Sequence, residues 1–269
     1  PADPILNLSI LYRQDTNPNK VDLGVGMYKD EAGHTAIMEA VSRAQELILV
    51  EEDTKAYVGM AGSKRYCDLL AQTTLGADHT VLTNNRFAVA QTPGGSGALR
   101  VLAEFINVAK PGATVWAGNP TWANHSPIMQ SAGLEIKQYP YYDKDTKAVD
   151  FDGMLATLKA ETKAGDVVLL HACCHNPSGA DLSLEQWQAT ADVIKVKGLL
   201  PYVDIAYQGL GEGMDEDAAG LRLMANTVPE MVIASSCSKN FGLYRERTGT
   251  AIIISCLLYT SDAADDGTG

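Results

Sequence analysis

The chain is 269 residues long and 46% apolar, and 33 acidic against 21 basic side chains leave a formal net charge of −12. That length allows one large α/β domain or one and a half ordinary ones, and the negative charge argues against nucleic acid, whose phosphates call for a positive surface. No apolar run reaches the roughly twenty residues of a membrane helix and the start has no secretory pattern. Five cysteines (Cys67, Cys173, Cys174, Cys237, Cys256) form no disulfide framework, which fits a reducing, cytoplasmic setting.

Along the chain, residues 1–35 carry no strong periodic element beyond an apolar patch from Ile5 to Tyr12, followed by small–apolar alternation from Val21 to Gly26. Spacing of apolar residues predicts helices over 37–50 and 64–75, with a loop at 57–63. A regular alternation follows. Strands are expected at 87–90, 113–117, 134–139, 167–173, 199–206, 231–234 and 248–255, and helices at 98–109, 126–132, 151–161, 184–197 and 217–226. Ser183 and Gln186 have capping-box spacing at the start of one of these helices. This β–α–β order implies a largely parallel sheet covered by helices on both faces. The stretch 256–269 has no apolar stripe, is expected to be disordered, and resembles translated adapter sequence.

Residues able to do chemistry gather just beyond the ends of expected strands, where open α/β sheets hold their ligands. Lys239 lies in Ser235-Ser236-Cys237-Ser238-Lys239-Asn240, after the run Met231-Val232-Ile233-Ala234, and Arg247 stands eight residues further on. Serine hydroxyls and a guanidinium suit a phosphate. A lysine beside such a cradle suggests an amine forming an imine with pyridoxal 5'-phosphate; the alternative is a solvated loop lysine. Gly94-Gly95-Ser96-Gly97 joins a strand to a helix whose N-terminus attracts anions, or is an ordinary glycine turn.

Asp204 ends an apolar run and needs a partner, either a pyridinium N–H or a structural ion pair or cap. Tyr207 would donate its hydroxyl to a ligand oxygen or sit half-buried. Trp122 would stack on an aromatic ligand or fill the core, and Gly26 would allow close backbone approach or simply turn the chain. His171 and His175 flank Cys173 and Cys174. On a straight strand i and i+4 stand about 13 Å apart, too far for one metal ion unless the strand bends, and adjacent cysteines would face opposite sides as core fillers.

Taken together, Asp22-Leu23-Gly24-Val25-Gly26, Gln91-Thr92-Pro93-Gly94-Gly95-Ser96-Gly97, Asn119-Pro120-Thr121-Trp122, the segment from His171 to Gly179, Val203-Asp204-Ile205-Ala206-Tyr207 and the segment from Ser235 to Arg247 resemble the class I aminotransferases of the aspartate/aromatic subgroup. The resemblance runs from residue 1 to about 255. It implies fold type I of the pyridoxal-phosphate enzymes: an α/β fold with a mostly parallel seven-stranded sheet sandwiched by helices. It divides the chain into an N-terminal arm with part of a small domain (1–36), a cofactor-binding large domain (37–255) and a non-native tail (256–269).

It also implies roles. Lys239 would hold the cofactor as an imine and then shuttle the substrate Cα proton. Gly95, Ser96, Ser236, Ser238 and Arg247 would hold the phosphate, joined by Tyr57 from the other subunit of a homodimer. Trp122 would stack on the ring, Asp204 would pair with its nitrogen, and Asn176 and Tyr207 would bond its phenolate oxygen. His125 and His171 would orient Asp204, and no metal is called for. Gly26, Trp122 and Asn176 would line the amino-acid site. The implied reaction is ping-pong transfer of the amino group of aspartate, or of an aromatic amino acid, to 2-oxoglutarate. The family's two substrate-carboxylate arginines have no match here, which reads as C-terminal truncation. A β-lyase or an inert cofactor-binding fragment are the alternative readings.

Overall fold

A computed structural model describes residues 4–21 and 26–256. The expected alternation at 22–25, the opening residues 1–3 and the tail beyond Cys256 lie outside the described residues. Two compact units divide the chain, Pro1–Glu51 and Glu52–Gly269.

The first unit contains helix α1 (Pro4–Gln14) and helix α2 (Glu39–Glu51). The expectation of no periodic element before residue 35 is corrected by α1. Leu8, Leu11 and Tyr12 repeat at three and four residues, and proline suits a first helical turn because its missing N–H has no partner there. Helix α2 has no buried residue, and its Leu49 and Val50 are 86% and 84% exposed.

The second unit opens with α3 (Lys64–Leu75), capped by Ser63, whose hydroxyl accepts the N–H of Tyr66. A single turn, α4 (Thr80–Thr83), leads to strand β1 (Phe87–Pro93) and α5 (Gly94–Ala109). Then come β2 (Thr114–Asn119), α6 (His125–Ser131), β3 (Glu135–Pro140), the hairpin β4 (Tyr142–Asp143) and β5 (Ala148–Val149), and α7 (Phe151–Glu161). The chain continues through β6 (Val167–His171), α8 (Leu184–Lys197), β7 (Leu200–Ile205), α9 (Ala219–Thr227), β8 (Met231–Ser236) and β9 (Thr248–Ile254). The hairpin and α4 are too short for periodicity to reveal. The capping box at Ser183 and Gln186 forms as expected.

Seven strands make one sheet in the order β1-β9-β8-β7-β6-β2-β3. Strands β3, β2, β6, β7 and β8 run parallel, while β9 runs antiparallel to both β8 and β1. Alternate residues feed two cores, as the period of two requires. Val168, Leu170, Val203, Ile205 and Ile233 point to the side covered by Leu158 of α7, Trp187 of α8 and Leu221 of α9. Val167, Leu169, Tyr202, Val232 and Ala234 point to the other, under Leu99, Leu102 and Ile106 of α5 and Met129 of α6. With both faces filled, the free edge beyond the C-terminal ends of the parallel strands is where a ligand can sit.

Candidate active site

The C-terminal ends of β1, β2, β6, β7 and β8 and the start of β9 share one sheet edge, and the residues singled out from the sequence follow them. Asp204 pairs in register with His171 on one side and Ala234 on the other, so the acid and the segment leading to Lys239 come from adjoining strands.

At one end of this edge lies an anion cradle. Helix α5 begins at Gly94 after Pro93, with no side chain capping its first N–H groups. Facing them are Ser236, Ser238 and Arg247. A Cβ on Gly94 would come within 2.6 Å of Arg247 Nη2, and one on Gly95 within 2.9 Å of Ser236 Cβ, so both glycines are needed for the close approach. Gly94 has φ +73°. Arg247 donates to Ser238 Oγ at 3.3 Å and to the Tyr244 carbonyl at 3.3 Å, neither of which carries charge. A guanidinium, an uncapped helix start and two hydroxyls form a donor set suited to a phosphate.

At the other end a chain of hydrogen bonds terminates on Asp204. The Asn176 N–H donates to His171 Nδ1 at 3.4 Å, which makes His171 Nε2 the N–H that donates to Thr121 Oγ1 at 3.1 Å. Thr121 then donates to His125 Nδ1 at 2.8 Å, and His125 Nε2 to Asp204 Oδ2 at 2.9 Å. A backbone donor at one end and a carboxylate at the other assign every proton along the way. Burial, then His125 and His175, holds His171 well below the ordinary imidazole range, in keeping with a neutral ring. Trp122 stands edge-on to His125, with ring centroids 5.3 Å apart.

Lys239 lies between these ends. Its Nζ sits 4.8 Å from the centroid of the Tyr207 ring. Burial lowers the Lys239 pKa, Asp204 raises it and Arg247 lowers it, so the amine feels both the acid and the cradle. The Tyr207 hydroxyl is pushed up by burial and then by Asp204, and a hydrogen bond with the Asn176 side chain works the other way. Lys239, Asp204, Tyr207, Asn176 and Arg247 are thus brought together.

Two local expectations are corrected. Strand β6 ends at His171 and the chain turns, so the His171 and His175 rings meet at a tilt with centroids 4.2 Å apart instead of standing a strand's length away. For the same reason Cys173 and Cys174 do not face opposite sides of a strand. Their sulfurs and an Asp217 oxygen lie within 4.8 Å of one another. The Asp217 carboxylate, however, already accepts the N–H groups of Gly209, Gly211 and Glu212 at 2.8–2.9 Å, which commits its lone pairs to the loop before α9.

Residues 18–264 match the family model described as aminotransferase class I and II. The chain belongs to the class I and II aminotransferases. Among its relatives in this family, the aspartate aminotransferase of Salmonella typhi is 45% identical over 264 residues, covering 98% of this chain and 66% of the relative. The aromatic-amino-acid aminotransferase of Paracoccus denitrificans is 48% identical over 252 residues, covering 94% of this chain and 63% of the relative. A crystal structure of the Burkholderia pseudomallei aromatic-amino-acid aminotransferase, covalently bound to pyridoxal phosphate, superposes with TM-score 0.93 at 41% identity over 99% of this chain and 66% of that one. The chain therefore spans just under two thirds of the length of the aminotransferases it matches.

Two further expected residues of this aminotransferase chain are Tyr57 and Gly26. Tyr57 is fully exposed, and Gly26 belongs to the first compact unit, with nothing within 4 Å of where its Cβ would be. Thr121, Gly94 and Gly249 were not singled out from sequence, although the first two lie inside quoted motifs. Gly249 pairs with Ser236, and a Cβ there would come within 2.4 Å of the Gly94 carbonyl carbon.

Proposed function

We propose that this chain binds pyridoxal 5'-phosphate at the sheet edge and takes part in ping-pong transfer of an amino group from aspartate or an aromatic amino acid to 2-oxoglutarate. The observation that carries this reading is the placement of the Lys239 amine over Tyr207, between an acid and an anion cradle. The names of the relatives, which divide between aspartate and aromatic substrates, support the reaction class and both substrate groups.

When bound, pyridoxal phosphate supplies an aldehyde carbon for amine attachment and a ring that withdraws electrons from a substrate Cα. The chain's residues divide the remaining work. Gly95, Ser96, Ser236, Ser238 and Arg247 would hold the phosphate with oriented N–H and O–H donors. Asp204, fixed by His125 and through it by Thr121 and His171, would pair with the ring nitrogen and favour its protonated form. Trp122 offers an aromatic face. Tyr207 and Asn176 would bond the ring oxygen, and Asn176 and Trp122 would border the amino-acid site. Burial lowers the cost of removing a proton from Lys239, so its free amine would hold the cofactor's aldehyde carbon and, once displaced by an amino acid, would carry the proton from the substrate Cα to that carbon.

The assembly we propose is a homodimer in the cytoplasm. The exposed apolar residues Leu47, Ile48, Leu49 and Val50 of α2, and separately Tyr57, Val58 and Met60, offer surface for a second copy to cover. In that arrangement Tyr57 reaches the partner's cradle. The five cysteines are free, in keeping with a reducing compartment, and no helix among the described residues is long and apolar enough to cross a membrane.

The test is glutamate formation from aspartate or tyrosine and 2-oxoglutarate by the cofactor-loaded chain, with Lys239→Ala as control. Glutamate that requires Lys239 supports the reading. Pyruvate or ammonia release that does not require a 2-oxo acid would instead assign an elimination, and no turnover with tight cofactor binding would assign a binding role.

A further inference from the structure

Helix α3 contributes one residue to the neighbourhood of the site that the functional reading leaves unused. Tyr66 lies in its first turn and is half-buried. Its hydroxyl donates to the Gly249 carbonyl at 3.1 Å, accepts the Thr250 hydroxyl at 3.0 Å, and lies 3.5 Å from Cys237 Sγ. Thr250 is fully buried and Cys237 nearly so, at 2% exposure, so water does not substitute freely at this junction.

Two of these contacts lead to the cradle. Cys237 stands between Ser236 and Ser238 and two residues before Lys239, and its N–H donates to the Thr248 carbonyl at 3.0 Å. Gly249 pairs with Ser236 on β8 and with Thr92 on β1, and lies directly behind Gly94 and Gly95. Strand β9 is the antiparallel member that joins these two segments. A shift of a few tenths of an ångström in β9 would therefore move Gly95 and Ser236 against each other.

We propose that Tyr66 is a positioning residue for the phosphate cradle, its hydroxyl pinning the end of β8 and the start of β9 to α3 so that Gly95, Ser236 and Ser238 keep their spacing. The proposal rests on the cofactor reading above. Its signature is selectivity for the phosphate. Pyridoxal phosphate should lose affinity when the hydroxyl is removed, and pyridoxal, which lacks the phosphate, should not.

Tyr66→Phe deletes the hydroxyl and keeps the ring. The expected result is an increase of about three- to tenfold in the dissociation constant of pyridoxal phosphate, the range that one buried hydrogen bond gives, with the affinity for pyridoxal unchanged within about twofold. Cys237→Ala should give a smaller loss, and Tyr66→Phe combined with Cys237→Ala should bind no worse than Tyr66→Phe alone, since the two act through one contact. Hydrogen exchange on the cofactor-free chain gives a readout independent of cofactor. Tyr66→Phe should speed exchange at 237–242 and 94–97 by roughly the same factor and leave α7 and α8 unchanged.

Equal losses for pyridoxal and pyridoxal phosphate, or unchanged exchange in those two segments, would overturn the proposal. If the unaltered chain takes up no cofactor, the functional reading fails, and exchange still decides the role of Tyr66.

Discussion

His125 Nε2 stands 2.9 Å from Asp204 Oδ2, with the histidine side chain fully buried and the carboxylate 10% exposed. A buried carboxylate this close to the ligand edge depends on the groups that fix its direction. Replacing His125 with phenylalanine preserves ring volume and removes the donor. A hydrogen bond to a charged group is worth about 1.5–3 kcal/mol, so cofactor affinity should fall by about 10- to 100-fold. Equilibrium titration of His125→Phe measures it. Thr121→Val, one step further from the acid, should give a smaller loss of the same kind.

Steric closeness at the cradle makes a second expectation quantitative. At Gly94 the backbone is left-handed, and an added Cβ meets the movable end of Arg247, so Gly94→Ala should cost about 1–2 kcal/mol of stability and weaken phosphate binding. At Gly249 the obstacle is the backbone of Gly94 itself. Gly249→Ala should therefore cost about 1–3 kcal/mol and disturb the cradle more. Urea unfolding of both variants, with titration by pyridoxal phosphate, checks the ranking.

The buried histidines set a pH dependence of stability. Burial, with His125 adding, pushes His175 down to about 4, and His171 is also held well below its ordinary value. The unfolded chain takes up protons at these rings below about pH 6.5 while the folded chain does not. Their contribution is thus fully present above about 6.5 and is lost as pH falls toward 4. The slope is at most about 1.4 kcal/mol per pH unit for each ring. Urea midpoints between pH 7 and pH 5 should fall with acidification, and His175→Gln should make that fall shallower.

The sheet was legible because its strands are short, apolar and separated by helices of ordinary length. Helix α3 and helix α7 lie at the residues their apolar spacing predicts, and in the structure Ser63 and Asp150 cap their starts. The candidate site was legible because its residues follow strand ends. What sequence did not reveal depends on backbone direction or distant contact. The turn after His171, which brings two histidine rings together, has no periodic signature. Gly249 looks like any strand glycine until β9 is placed behind α5, and Tyr66 meets Cys237 across 171 residues of chain.

Cysteine reactivity follows from burial. Burial raises the thiol pKa of Cys67, Cys173, Cys174 and Cys237 and so lowers the thiolate fraction at neutral pH. Cys256 is exposed. Iodoacetamide at pH 7.5 should modify Cys256 roughly tenfold faster than any of the other four, which peptide mapping of a time course would show.

The central claim, that Lys239 is the amine to which the cofactor attaches, has a direct measurement. The chain is incubated with pyridoxal phosphate, reduced with borohydride, digested and analysed by mass spectrometry. The expected result is one stoichiometric pyridoxyl-phosphate adduct on Lys239, absent from Lys239→Ala and weakened in Arg247→Ala. Labelling spread over surface lysines such as Lys55 and Lys64, at the same level with and without Lys239, would contradict it.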